Sequence, residues 1–408
     1  MQDYQYIGKN LDNVVVSPQV QYQLNHKVNE SLLSLPNIAN QHIKVIHVTT
    51  AHHADDVRIF ERQCRSLADT GEYDVSIAGP GNIPPGSTVT HLPLPPISRR
   101  RLLRFLLSPL RVFLLARRTS GDVWHIHDPE LIPVALWLAK SGKRVIWDAH
   151  EDYLGQVIDP QSKTWIPGFA RTTVRKCFSV VLNRMDERAV AIVAATPVIA
   201  SRYQNLRTVV VGNEVRLEPF RECSPTFGAR RLLFTGHVNQ GHLFSELVKA
   251  VMQLPDIELA VAGRFSTSQL WLDSKTILGD RLIHLGWLDR KALSREISLS
   301  TLGVVTYIDN APYAVGLPTK LFEFAAAGLP VVATPNPLTR SLIEKSGCGF
   351  VAEGFTHESL KRAITKGLSD KSVWLAASVN GRHWARTEGN WESSEKSLLA
   401  LYRDILRN

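Results

Sequence analysis

From Ile43 onward the chain repeats one pattern: a short apolar run rich in β-branched residues, a break of glycine or polar residues, then a stretch with helical spacing. The first series reads IKVIHVTT from Ile43, a helix over Val57 to Ala68, YDVSIAG from Tyr73, DVWHIH from Asp122, a helix over Pro129 to Lys140, RVIWDAH from Arg144, AIVAA from Ala191 and TVVVG from Thr208. A second series begins at Arg230. It runs through RLLFTG, a helix over Phe244 to Met252, IELAVAG, RLIHLG, a helix over Lys291 to Ser298, LGVVTY, a helix over Leu317 to Ala327, PVVAT, a helix over Leu338 to Lys345 and GFVAE. Strands alternating with helices predict βαβ units and parallel sheets covered on both faces.

At 408 residues the chain exceeds what one core supports, so the two series read as two α/β domains, each doubly wound and Rossmann-like. The expected divisions are an N-terminal extension over 1–40, a first domain over 41–212, a linker over 213–229 that carries Pro219, Pro225 and Gly228, a second domain over 230–382, and a terminal helix over 383–408. Two such domains facing each other form a cleft at the carboxyl ends of both sheets, where ligands bind in open α/β folds.

Hydrophobic residues at 44% and charged residues at 21% are those of an ordinary globular protein. No apolar run reaches the roughly 18 to 20 residues that span a bilayer, and the N-terminus lacks the order of a signal peptide, so a cytoplasmic location is expected. Cys64, Cys177, Cys223 and Cys348 lie far apart and are given no role. A net charge of +9 calls for an anionic partner. Its distribution narrows the choice, because Ser98 to Arg118 (SRRRLLRFLLSPLRVFLLARR) sets seven arginines around a leucine-rich run. On a helix, Leu102, Leu103, Leu106, Leu107, Leu110, Phe113 and Leu114 fall near one side, the pattern of a helix lying on an anionic membrane surface. The alternative is a core helix with a basic rim, broken at Pro109.

The chemistry is concentrated at strand ends. GLPTKLFEFAAAGLP, Gly316 to Pro330, leads from a turn into a helix whose free N–H groups make a ready phosphate site. Lys320 adds a cation, and Glu323 sits one turn further on. The segment also reads as a well-capped core helix with Phe322 and Phe324 buried.

This stretch, from Pro318 to Val331, resembles the donor-binding signature of family-four (retaining, group 1) glycosyltransferases of GT-B fold. The resemblance extends through DVRIFERQCRSL (Asp56 to Leu67), HIHDPEL (His125 to Leu131), DAHEDY (Asp148 to Tyr153) and Asn390 to Glu392 with Tyr402. It implies a first domain that binds the acceptor, a second that binds a nucleotide-sugar donor, and a terminal helix that crosses back. It further implies that Glu323 holds the nucleotide ribose, that Lys320 with Leu317, Pro318 and Thr319 cradles the diphosphate, and that Gly236 and His237, Gly263 with Arg264, and Gly286, Trp287 and Leu288 enclose the base and phosphates. His127 is implied over the donor sugar. Asp55, Asp56, Arg58, Asp148, His150, Glu151 and Asp152 are implied on loops for the acceptor and donor sugar. The expected reaction is metal-independent transfer from a nucleotide-sugar to a glycan or lipid-linked acceptor in cell-surface polysaccharide biosynthesis, at the inner face of the cell membrane.

Two departures from the family pattern stand out. Val315 occupies the place of a second glutamate, and FTGHVNQGHLF supplies His237 and His242 where many relatives carry arginine and lysine. An unperturbed histidine is mostly uncharged at neutral pH, which leaves Arg264 and Lys320 to carry the diphosphate. An inactive or regulatory homologue and a nucleotide-sugar epimerase of the same fold are the alternatives. The histidine and acid clusters could also be read as a metal hydrolase, but none has a complete ligand set, and no metal is assigned. Nucleic acid is not expected, since the arginines cluster with leucines rather than exposed aromatics.

Overall fold

The computed structural model describes residues 43–95, 101–151, 153–154, 168–310, 313 and 316–407, with side chains from Arg104 onward in the arginine-rich helix. The expectations attached to residues 1–40, 98–100, Asp152, Val315 and the side chains of Leu102 and Leu103 lie outside the described residues. Thirteen strands form two sheets among these residues, with the expected doubly wound pattern.

The first sheet contains β1 (Ile43–Val48), β2 (Tyr73–Gly79), β3 (Thr90–Pro93), β4 (Val123–Ile126), β5 (Arg144–Ala149), β6 (Ala191–Ala194) and β7 (Thr208–Val210) in the order β3-β2-β1-β4-β5-β6-β7. The second contains β8 (Arg231–Thr235), β9 (Glu258–Ala262), β10 (Leu282–His284), β11 (Leu302–Val305), β12 (Val331–Ala333) and β13 (Gly349–Val351) in the order β10-β9-β8-β11-β12-β13. Every pairing is parallel. Each sheet has a core on both faces, which is why its strands carry unbroken apolar runs. The edge strand β3, short and half-exposed, carried no such run and escaped the pattern.

Chain direction reverses around β1/β4 in the first sheet and β8/β11 in the second. At such switch points neighbouring loops leave in opposite directions and open a crevice. The Val57 helix follows β1; its first two turns, Val57–Cys64, are π-wound before Arg65–Ala68 continues as α-helix. Asp56 caps its start by accepting from the amides of Arg58 at 2.8 Å and Ile59 at 3.1 Å.

The chain passes between the sheets twice. After β7 it leaves through Val211 to Leu217, and after the Lys371–Thr387 helix it returns into Trp391–Arg407. The two passages are tied together: Trp391 N–H donates to Val215 O at 3.0 Å, and Leu217 N–H to Glu392 Oε1 at 3.4 Å. The final helix then buries Trp391, Leu398, Leu401, Tyr402 and Ile405 against the first sheet. The return helix starts at Trp391 rather than at the expected residue 383, because 383–387 complete the Lys371–Thr387 helix, and it is fixed by an apolar stripe with helical spacing. Trp391 is its anchor, fully buried with its indole N–H on Ser66 Oγ at 2.8 Å.

The arginine-rich helix, Arg101–Arg118, runs unbroken through Pro109, without the break that the alternative core-helix reading placed there. Its apolar positions divide. Val112 is buried and Phe113 packs on Trp137 at 4.6 Å between ring centroids, whereas Leu106 (64% exposed), Leu110 (54%), Phe105, Leu107 and Leu114 face outward. Among the described residues no helix is long and apolar enough to cross a membrane.

Candidate active site

A cleft of about 810 Å³ lies between the carboxyl ends of the two sheets. Asp55, Glu61 and Arg62 line it from the first sheet's side, and Gly236, Trp287, Leu288, Leu317, Pro318, Thr319, Lys320 and Glu323 from the second. Eight of the expected donor-side residues thus share one wall, while His237, Arg264 and Gly286 are not part of this lining. Gly236 has φ +94, a left-handed turn suited to glycine, and a Cβ on Gly263 would collide with the Gly236 carbonyl. These two glycines let the loops after β8 and β9 touch.

The Thr319–Ala327 helix starts after Pro318, with no side chain capping its first amides, and stops at Gly328 in the left-handed region. Its orphan N–H groups form the positive end of the helix dipole, at a helix start whose residues Leu317 to Lys320 line the cleft. Lys320 leaves this first turn and is 9% exposed. Its Nζ has no hydrogen-bond partner among the described residues and sits 4.2 Å from the Phe234 ring centroid and 5.4 Å from that of Tyr307. Burial lowers the Lys320 pKa to about 7, with Glu323 opposing. Burial raises the Glu323 carboxyl, with Arg62, Lys320 and Arg290 opposing. A buried ammonium with no hydrogen-bonded counterion among the described residues, on a residue that lines the cleft, suits an anion.

Arg62 and Arg290 were absent from the sequence reading. Arg62 is buried, its pKa lowered to about 10 by burial and by Arg58, with Glu323 the first opposing charge. The available signal was its spacing from Arg58, four residues along one helix. Arg290 follows Asp289, which caps the Arg290–Ser298 helix.

Of the two histidines standing where cations were expected, His242 stays neutral: burial, Lys320 and His237 lower its pKa to about 3. It packs at 5.1 Å from Tyr307 and pairs with Asn239 Oδ1 at 2.9 Å. His237 is exposed and Arg264 stacks on Trp287 at 5.6 Å, at the cleft's rim.

The first-sheet expectations come out differently. His127, expected over the donor sugar, has no exposed surface; Nδ1 meets Asp148 Oδ2 at 2.9 Å and Nε2 meets His47 Nδ1 at 3.0 Å. Arg58 and Asp148, expected on acceptor loops, form a buried bidentate pair at 2.7 and 3.1 Å. Burial would raise the Asp148 carboxyl, but Arg58 and the His127 hydrogen bond hold it well below the carboxylate range. Their register explains the burial: His47 and His125 are direct neighbours on β1 and β4, and His127 N–H bonds to Val48 O.

His150 and exposed Glu151 follow β5, nearer the surface. His52, Asp128 and His150 bring ligand atoms within 4.8 Å, as do His47, His125 and His127. In the first group His52 Nδ1 already meets Asp128 Oδ1 at 2.9 Å, and burial, which lowers the His52 pKa, is overcome by Asp128 to give about 9. His150 Nδ1 has no hydrogen-bond partner among the described residues.

Two sheets of this topology around a charged cleft define the α/β fold of the GT-B class. Residues 229–370 match the family model for glycosyl transferases group 1, and residues 57–216 the glycosyl transferase 4-like domain. The chain belongs to the group 1 glycosyltransferases. It is similar to sucrose-phosphate synthase from Thermosynechococcus elongatus (TM-score 0.71, 19% identity, 90% of this chain and 100% of that one). It is also similar to Anabaena HepE in complex with UDP and glucose (0.66, 13%, 89% and 100%). A third likeness is to WaaG, a glycosyltransferase involved in lipopolysaccharide biosynthesis (0.64, 17%, 87% and 98%). No curated protein sequence matches the chain.

Replacing Lys320 tests the unpaired ammonium. With a folded pKa near 7 against 10.5 unfolded, the unfolded chain binds more protons between those values, so stability rises with pH across that window. Lys320→Met is expected to raise Tm at neutral pH and flatten that rise, read by thermal unfolding at several pH values; an unchanged slope would show that the ammonium is not buried unpaired.

Proposed function

We propose that this enzyme is a retaining glycosyltransferase that moves a sugar from a nucleotide-sugar donor to a glycan or lipid-linked acceptor in cell-surface polysaccharide biosynthesis. The observation that carries the donor assignment is the unpartnered, buried Lys320 Nζ at an uncapped helix start, with Glu323 one turn on. A nucleoside diphosphate supplies what this corner lacks: phosphate oxygens for Lys320 and the helix amides, and ribose hydroxyls for Glu323. Trp287 with Arg264 offers a stacked rim for the base. The complex of Anabaena HepE with UDP and glucose supports this choice of ligand class.

In this reading the anomeric carbon–oxygen bond to the diphosphate breaks while an acceptor hydroxyl attacks from the same face. The departing phosphate oxygen takes the hydroxyl proton. Negative charge grows on the diphosphate, where Lys320 and the helix N–H groups stabilise it. The route needs no pair of catalytic carboxylates and no metal ion, unlike glycoside hydrolysis by paired acids.

The outward face of Arg101–Arg118 is the proposed membrane contact, at the inner leaflet, with the protein itself cytoplasmic. Five apolar side chains, Phe105, Leu106, Leu107, Leu110 and Leu114, are exposed along it, with Arg117 and Arg118 exposed at its end. Arg104 is not available to lipid, since it pairs with buried Glu130 at 2.7 Å.

A thermal-shift screen against UDP-, GDP-, ADP- and dTDP-sugars with a chelator present tests the donor assignment. One class is expected to raise Tm by several degrees at millimolar ligand, and Lys320→Met to abolish the rise; no shift with any of them would remove the assignment.

Sedimentation with anionic vesicles tests the surface. The triple change of Leu106, Leu107 and Leu110 to serine is expected to lower the bound fraction about tenfold or more, given roughly 1.5 kcal/mol or more for each leucine face withdrawn from lipid. Equal binding by both proteins would place the membrane contact elsewhere.

A further inference from the structure

Behind the cleft, four aromatic side chains that play no part in the transfer chemistry lie in one buried row. Tyr402, from the final helix, has its hydroxyl 2.8 Å from His125 Nδ1 and 3.5 Å from His47 Nε2. His47 Nδ1 is 3.0 Å from His127 Nε2, and His127 Nδ1 is 2.9 Å from Asp148 Oδ2. All five residues are fully buried. Asp148 in turn holds Arg58, whose NH1 donates to Val211 O at 2.9 Å, Gly212 O at 3.1 Å and Asn213 Oδ1 at 2.9 Å, the first passage between the sheets.

The direction of the protons follows from the one end whose character is fixed. The Asp148 carboxylate only accepts, so His127 Nδ1 carries a hydrogen. If His127 is neutral, its Nε2 accepts from His47 Nδ1–H, and His47 Nε2 accepts from the Tyr402 hydroxyl. The Tyr402 oxygen then accepts from His125 Nδ1–H, which leaves His125 Nε2 as a bare acceptor. That atom is buried with no hydrogen-bond partner among the described residues. Running the chain the other way requires a His127 imidazolium, a second buried cation beside Arg58, and it turns His125 Nε2 into an orphaned N–H donor. Buried orphan donors are rarer than orphan acceptors, and an added uncompensated charge is costlier still. The same accounting removes a metal from His47, His125 and His127, because five of their six ring nitrogens are engaged in the row.

We infer that Tyr402, His47 and His127 form one proton-ordered relay from the final helix to Asp148, and that His127 is a positioning residue that sets Arg58 on the passage between the sheets. His127 then acts on transfer without touching the sugar. Both passages between the sheets are tied to it, one through Arg58 and the other through the helix that carries Tyr402. A relay of fixed tautomers makes their placement mutually dependent.

Nitrogen-15 NMR of the full-length protein labelled at histidine tests the proton order directly. At about pH 8, His47, His125 and His127 are expected with Nδ1 protonated and Nε2 bare, and His47 and His125, which burial holds well below the ordinary imidazole value, keep that state down to about pH 6. An Nε2–H tautomer or an imidazolium at any of the three at about pH 8 would overturn the relay. Hydrogen exchange supplies the positioning arm. His127→Ala is expected to speed exchange over 211–217 about tenfold, while His127→Asn, whose amide N–H can still reach Asp148, leaves it near wild type. Faster exchange throughout the chain, or none over 211–217, would reduce His127 to a core residue. Tyr402→Phe, which removes the hydrogen bonds to both His47 and His125, is expected to lower kcat about fivefold or more, with donor KM within about twofold. The NMR and exchange arms need no donor, so they stand or fall apart from the nucleotide-sugar reading, on which only the kcat arm rests.

Discussion

A parallel sheet covered on both faces leaves its chemistry nowhere to go but the carboxyl ends of its strands. That constraint governs this molecule twice. Each sheet buries apolar side chains above and below, and each reverses direction at one interior point, β1/β4 and β8/β11. The two crevices face each other across the cleft, and the residues that break the apolar rule cluster there. Buried imidazoles, an unpaired ammonium and a carboxylate–guanidinium pair would each destabilise an ordinary core.

The two walls handle that polarity in opposite ways. The first sheet satisfies its two buried aspartates internally: Asp148 is bound by Arg58, His127 and Gln63, and Asp128 by Thr49, the amides of Thr50 and Ala51, and His52. The second leaves its groups open. Lys320 has aromatic rings for neighbours, the helix amides at Thr319 have no side-chain cap, and Glu323 is raised by its own burial. A satisfied wall holds geometry, and an unsatisfied wall waits for a ligand. The division fits an enzyme that binds its anionic donor on one side and keeps the other side in register.

Much of this was legible in the sequence because it depended on local pattern. The alternation of strands and helices, the uncapped turn at Gly316 to Thr319 and the return helix at Trp391 all declare themselves within one or two turns of chain. What was hidden depended on register. Nothing along the sequence says that His47 lies beside His125, and the likeness of HIHDPEL to a sugar-facing motif pointed His127 into the cleft, whereas its neighbours on β1 and β5 enclose it. Arg62 escaped for a similar reason, since its value comes from Glu323 on the far wall, more than two hundred and fifty positions away in the chain. Phe113 was assigned to the outward stripe of its helix and packs inward on Trp137, a difference of about one helical step.

The central claim is that Lys320, kept from ionising fully by burial, receives the diphosphate. Calorimetric titration with a nucleoside diphosphate at about pH 8, in two buffers of different ionisation enthalpy, tests it most directly, because a pKa near 7 that rises on pairing with phosphate must draw a proton from solution. The account predicts a binding heat that differs between the buffers by close to one proton's worth, and no such difference in Lys320→Met. The same heat in both buffers for the unaltered enzyme, with binding intact, would contradict it.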